Sequence, residues 1–166
     1  MAARQPLIPN SAVPWLATGG ALAALCVAWI AQYGFGLAPC ELCYFQRYGY
    51  WAAIALGIIA ILQPARTARR NAALWLLALA FLAVAGIALF HVGVEQKWWQ
   101  GFAGCTGGIT PGMTPEELQK AIQDAPIVRC DEPAWTMFGI SMAGYNALYA
   151  LLLAAFTLRG AIRSRA

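Results

Sequence analysis

"NAALWLLALAFLAVAGIALFHVGV", residues 71–94, contains no Asp, Glu, Lys or Arg. As a helix rising about 1.5 Å per residue, it can cross a hydrocarbon core of about 30 Å. Further uncharged runs cover Gln5–Cys40, Tyr48–Ala65 and Pro133–Leu158. Each has roughly 18 residues or more, enough to span a bilayer. The 166 residues are 61% hydrophobic and 11% charged, whereas a soluble domain is about 25% charged. The sequence therefore predicts an all-α membrane protein, a bundle of four transmembrane helices in a single domain, 1–166. The helices fall near 13–33, 44–62, 71–92 and 138–158, with outer loops near 34–43 and 93–137. The first run far exceeds the apolar core of a signal peptide, about 7–15 residues. Pro39 is also a poor residue immediately before a cleavage point, so the run is read as a helix.

The basic residues set the orientation. Arg4, Arg66, Arg69, Arg70, Arg159, Arg163 and Arg165 fall on one side with no acid among them. The other side holds Glu41 and the long loop, where Lys97, Lys120 and Arg129 face a larger number of acids. A Lys/Arg excess marks the cytoplasmic side, which places both termini there. The net charge of +4 is this topology signal; no basic patch points to nucleic acid.

Cys40, Cys43, Cys105 and Cys130 lie in or beside the outer loops, and Cys26 lies inside the first helix. In a bacterium the outer side of the inner membrane is the periplasm, where disulfides persist. Four cysteines allow three pairings, and local spacing favours Cys40–Cys43 with Cys105–Cys130. In "APCELCYFQRYGY", residues 38–50, the Cys-x-x-Cys pair is followed by Tyr44 rather than His, which removes a haem attachment. A structural zinc site usually shows two close cysteine pairs. Cys105 and Cys130 are too far apart in sequence to supply the second; a site using four thiolates, or three and His91, stays open. The redox reading needs a thiolate of lowered pKa. Pro39 and the apolar run after it put Cys40 and Cys43 near a helix N-terminus, which favours negative charge.

Arg47 stands at i+7 from Cys40 and i+4 from Cys43, on one helical face with both. A charge at this depth either snorkels to the interface or holds a polar ligand, and an outward arginine runs against the positive-inside trend. A pair that oxidises other thiols must be reoxidised. The chain has no dinucleotide fingerprint, P-loop or haem box. A lipid-soluble two-electron carrier meets the need, and a non-covalently bound quinone, ubiquinone or menaquinone, is the candidate. Arg47 is its expected contact. His91, at the outer end of the third helix, is a second polar contact or proton donor, or an ordinary interfacial histidine. No metal is expected.

"FAGCTGG", residues 102–108, sets Cys105 among small residues, which predicts an accessible and mobile thiol. "MTPEELQKAIQDAP", residues 113–126, reads as a short amphipathic helix with Thr114 as N-cap, Pro115 at N1 and Glu117 closing a capping box. Leu118, Ala121 and Ile122 form its apolar stripe, suited to the membrane surface or to the bundle.

Cys40-Glu41-Leu42-Cys43-Tyr44-Phe45-Gln46-Arg47 resembles the Cys-x-Leu-Cys-x-x-Gln-Arg motif of the disulfide bond formation protein B family, bacterial quinone reductases. The helix count, the termini and the long second loop with two spaced cysteines also match it. The segment between the loop cysteines varies widely in that family and carries less weight. The resemblance implies a multi-pass inner-membrane enzyme whose active cysteines face the periplasm. A thioredoxin-fold oxidase (DsbA-like) would attack the Cys105–Cys130 disulfide and join to Cys105. Cys130 would pass electrons to Cys40, and Cys43 would face the membrane quinone pool with Arg47 supporting it. Vitamin K epoxide reductase-like proteins share the bundle-and-cysteine idea, but an early Cys-x-x-Cys at the second helix fits them poorly.

Overall fold

The computed structural model describes residues 9–102, 105, 112–123 and 128–164. Helix α1, Val13–Trp29, starts with a proline in its first turn and runs on as a π-helical turn, Ile30–Gly34. Helix α2, Glu41–Leu62, opens earlier than the apolar run suggests because Cys40, extended at ψ 175°, serves as its N-cap. It stops where Gln63 precedes Pro64; the proline ring holds Gln63 extended at ψ 141°. Helix α3, Ala68–Glu95, is capped by Thr67, whose Oγ1 accepts the Arg70 N–H at 3.3 Å. It passes the uncharged run at both ends, taking in Arg69, Arg70 and Glu95.

The long loop carries α4, Pro115–Gln123. Its capping box is formed: the Thr114 N–H donates to Glu117 Oε2 at 2.8 Å, and the Glu117 N–H to Thr114 Oγ1 at 3.3 Å. Those bonds to Thr114 hold the Glu117 carboxyl below the usual range. The last uncharged run does not become helix at 138. Thr136–Met137 (β1) and Ile140–Ser141 (β2) pair antiparallel around Phe138 and Gly139, at φ 52° and 77°. Two left-handed residues make the tight turn that matches strand twist. Ser141 then caps α5, Met142–Arg163, by accepting the Gly144 N–H at 3.2 Å.

Helix α3 packs against both α2 and α5, and α1 packs on α2 and along α5. The inner face of α5 is a ladder of small residues, Ala143, Ala147, Ala150, Ala154, Thr157 and Ala161. Small side chains let membrane helices approach closely, since lipid gives no hydrophobic drive for association. Phe81 is the largest fully buried side chain and meets the Tyr50 ring at 6.3 Å. Leucines 76, 79, 82 and 89 of α3 face outward. In water such a surface would far exceed an ordinary apolar patch; in lipid it is the solvated face. The fold is therefore a four-helix membrane bundle.

Arginines 66, 69, 70, 159 and 163 gather at one end. There Arg70 donates to the Asn10 and Ser11 carbonyls at 3.0 and 3.1 Å, tying α3 to the start of α1. Arg4 and Arg165 lie outside the described residues. Cys40, Cys43, Cys105 and Cys130 gather at the opposite end.

Candidate redox-active site

The local sequence puts Cys40 at the mouth of α2 and Cys43 in its first turn. Their sulfurs are 3.0 Å apart and unbonded. Cys105 and Cys130 form a disulfide, with Cα atoms 4.9 Å apart. Cys40, Cys105 and Cys130 are buried with Leu42 and Val94 in one apolar cluster, ringed by Cys43, Ile87, Phe90 and Val128. Four cysteines from distant parts of the chain thus meet at one end of the bundle. Cys26, by contrast, is exposed on α1.

Cys105 is 0% exposed, against the expectation of an accessible thiol. As half of a disulfide it is apolar, and it packs into the cluster with Val94. Its N–H donates to Phe102 O at 2.8 Å, and its carbonyl accepts the Cys130 N–H at 2.9 Å. Glycines 104, 107 and 108, on which the expected mobility rested, lie outside the described residues. An aromatic strap carries the chain from α3 to Cys105. Phe90 stacks on Trp99 and Phe102, with centroids 5.7 and 5.5 Å away, and Trp99 Nε1 donates to Phe90 O at 3.0 Å. On the far side Arg129 grips Asp131 bidentately, at 2.9 and 2.7 Å, flanking the inward-turned Cys130. Arg129 holds the Asp131 carboxyl below its usual range.

His91 is buried beside the sulfurs. Its Nε2 lies 3.6 Å from Cys40 Sγ and 3.8 Å from Glu95 Oε1, and its Nδ1 is 3.0 Å from Gln46 Nε2. Gln46 Nε2 also donates to Leu42 O at 3.1 Å, while Gln46 Oε1 accepts from Asn146 Nδ2 at 2.6 Å. Asn146 Oδ1 in turn accepts the Tyr50 O–H at 2.6 Å. Glu95 also accepts a hydrogen bond from Ser141 Oγ. Cys43 and burial together push the Cys40 thiol well above the usual thiol range.

The donor atoms of Cys40, His91 and Cys130 lie within 4.8 Å of one another. That spacing suits a soft metal ion, but the Cys130 sulfur is already bonded to Cys105. A sulfur-to-sulfur approach is the chemistry the arrangement favours.

Arg47 follows Cys43 by one turn, yet its guanidinium turns toward α1. It donates to Gln32 Oε1 at 2.5 Å and to Ala28 O at 3.3 Å, and lies 5.5 Å from the Tyr44 ring centre. Gln32 belongs to the π-helical turn, a distortion frequent at functional sites. His91 thus reaches Cys40 and Gln46 from α3, while Arg47 engages the end of α1. Cys43 is half-buried at the start of that helix.

The sequence reading assigned no role to Gln32, Gln46, Tyr50, Glu95 or Asn146. A signal was present: amides inside otherwise apolar spans must find partners in a bilayer. What it lacked was which helices supply them.

A four-helix membrane bundle with a thiol pair against a disulfide has the parts of a membrane disulfide oxidoreductase. The family model "Disulfide bond formation protein DsbB" matches residues 10–159, and the chain belongs to that family. Among its relatives, a disulfide bond formation protein B of Marinobacter nauticus is 30% identical over 141 residues, 78% of each chain. Disulfide bond formation protein B 2 of Pseudomonas aeruginosa is 31% identical over 146 residues, 84% of this chain and 83% of that one. An uncharacterized protein of Rickettsia prowazekii is 30% identical over 135 residues, 80% of this chain and 77% of the other. No solved structure matches the chain.

Proposed function

We propose that this protein is an inner-membrane thiol:quinone oxidoreductase. It reoxidises a periplasmic thioredoxin-fold, DsbA-like dithiol and passes the electrons to a membrane quinone. One observation carries the reading: the Cys105–Cys130 disulfide packs against Cys40, which touches Cys43.

The partner's thiolate attacks Cys105, forms a mixed disulfide and releases Cys130 as a thiolate. Cys130 then attacks Cys40 of an oxidised Cys40–Cys43 pair. The new bond is Cys40–Cys130, and Cys43 leaves with the electron pair; the partner's second thiol then displaces Cys105, and Cys105 attacks Cys130 and releases Cys40. Such exchanges go through mixed disulfides and depend on thiolate character and access. Because Cys105 is buried, it has to become accessible before the partner attacks.

The residues around Cys43 fit a quinone. Arg47 offers a planar fork of five N–H donors, two of which are engaged among the described residues. Trp29, Tyr33, Phe35 and Tyr44 present exposed rings at the end of α1, in and after its π-helical turn, and at the start of α2. When bound, a quinone accepts two electrons and two protons, so the partner's dithiol becomes a disulfide and the quinone a quinol. Ubiquinone and menaquinone satisfy this chemistry equally. The arginine-rich end lies in the cytoplasm by the positive-inside rule, leaving the cysteines on the periplasmic side.

The test is quinone reduction, followed optically, by purified protein with a reduced thioredoxin-fold oxidase. Cys43→Ser is expected to abolish it, and Cys105→Ser to abolish the mixed disulfide with the partner. Full activity of Cys43→Ser overturns the proposal.

A further inference from the structure

The polar groups buried beside the cysteines form a chain whose direction can be worked out. Leu42 O is a carbonyl and can only accept, so the Gln46 atom at 3.1 Å from it must be the amide nitrogen. That fixes Gln46 Oε1 toward Asn146, which must then present its own NH2 group, at 2.6 Å. Asn146 Oδ1 is left to accept the Tyr50 O–H, also at 2.6 Å. The second N–H of Gln46 points at His91 Nδ1, 3.0 Å away. A neutral imidazole that accepts at Nδ1 carries its proton on Nε2.

Three groups face that proton: Cys40 Sγ, Glu95 Oε1 and the Cys130 backbone carbonyl, and of these only Cys40 lies in hydrogen-bond geometry with Nε2. Glu95 Oε1 is 3.8 Å from Nε2, too far for an N–H···O bond. Cys40 Sγ is at 3.6 Å, an acceptable reach for the larger sulfur atom. Having accepted there, Cys40 can turn its own S–H to Cys43 Sγ at 3.0 Å.

We infer that Tyr50, Asn146, Gln46 and His91 form a one-way hydrogen-bond chain through Cys40 whose final acceptor is Cys43, selecting Cys43 as the sulfur that carries negative charge in the reduced pair. The chain draws on α2, α3 and α5, so the helix packing sets which sulfur is charged. Each donor polarises the next in a low-dielectric interior. Tyr50, Asn146 and Gln46 are positioning residues, since they reach the sulfurs only through His91. This deepens the proposed function, and rests on its reading of Cys43 as the sulfur that faces the electron acceptor.

The test uses the full chain in detergent, reduced, with neither partner nor quinone added. Imidazole 15N resonances report the His91 tautomer, and brief alkylation with peptide mapping reports the Cys43 to Cys40 reactivity ratio. Wild type is expected to show His91 protonated on Nε2 and Cys43 alkylated first. Asn146→Leu and Gln46→Leu are expected to mix the tautomers and to lower the ratio by about tenfold, the scale of one hydrogen bond to a charged group. Tyr50→Phe, the mildest change, moves both readouts in the same direction by a smaller amount. Simple loosening of the bundle would raise both alkylation rates and leave the tautomer alone. His91 protonated on Nδ1 in wild type, or a ratio unchanged in all three variants, overturns the chain. Failure of quinone reduction with these readouts intact would count against the proposed function alone.

Discussion

Gly93 of α3 faces the indole of Trp99, and Gly93→Ala tests whether the aromatic strap controls the disulfide beneath it. A Cβ at Gly93 would stand 2.0 Å from Trp99 Cζ2, 2.3 Å from Cε2 and 2.7 Å from Cη2. Carbon atoms rest at about 3.5–4.0 Å, so the ring must retreat by about 1.5 Å. That movement breaks the 3.0 Å bond from Trp99 Nε1 to Phe90 O and disturbs the stack on Phe90. Overpacking costs about 1–3 kcal/mol and the hydrogen bond about 1 kcal/mol. Replacing a helical glycine by alanine returns about 1 kcal/mol, leaving a net cost of about 1–3 kcal/mol on the strap. The strap leads to Phe102, whose carbonyl holds the Cys105 N–H at 2.8 Å. A loosened strap exposes Cys105–Cys130, and each 1.4 kcal/mol is about a tenfold change in the open population. The assay is the rate at which a small dithiol reduces that disulfide, read by peptide mapping, with tryptophan fluorescence reporting the ring shift. Gly93→Ala is expected to be reduced about tenfold faster than wild type. Gly86→Ala is the control on the same helix, since a Cβ there meets nothing within 4 Å. Equal reduction rates in the two variants would refute the reasoning.

Three further outcomes are expected. Gln32→Leu removes the acceptor that holds the Arg47 guanidinium at 2.5 Å; the quinone KM should rise by about tenfold, the scale of a hydrogen bond to a charged group, and an unchanged KM would show that Gln32 does not position Arg47. Arg70→Met cuts the two bonds to the Asn10 and Ser11 carbonyls and should cost about 2 kcal/mol in thermal unfolding, a loss that Arg70→Lys restores only in part because lysine lacks the fork. The Thr114 bonds lower the Glu117 carboxyl, so its contribution to α4 is complete above the unfolded carboxylate range and disappears as pH falls through the lowered value. Amide exchange in α4 should speed up on acidification, and Glu117→Gln should flatten that dependence; identical pH profiles would count against the cap.

Much of the architecture is legible in the uncharged runs because a bilayer rewards length and lack of charge, which are properties of a linear string. Thr114, Pro115 and Glu117 announced α4 for the same local reason: a capping box lies within one turn. Hydropathy marked helix ends less well, since it responds to charge rather than to caps. Met142 begins α5 because Phe138 and Gly139 turn a hairpin and Ser141 caps the helix, inside a run that reads as uninterrupted.

The sequence by itself determined that this chain crosses a membrane four times, that its Cys-x-x-Cys pair sits at the start of a helix, and that Arg47 follows one turn later. Only the tertiary structure decided what those residues meet. It buried Cys105 instead of exposing it, and it turned Arg47 toward Gln32 while His91 went to Cys40. It also joined Gln46 of α2 to Asn146 of α5, 100 positions away. Helix formation depends on neighbours within a turn, and insertion depends on composition. The partner of a buried amide or sulfur depends on which helix faces pack, and that follows from the small-residue ladders of several helices at once.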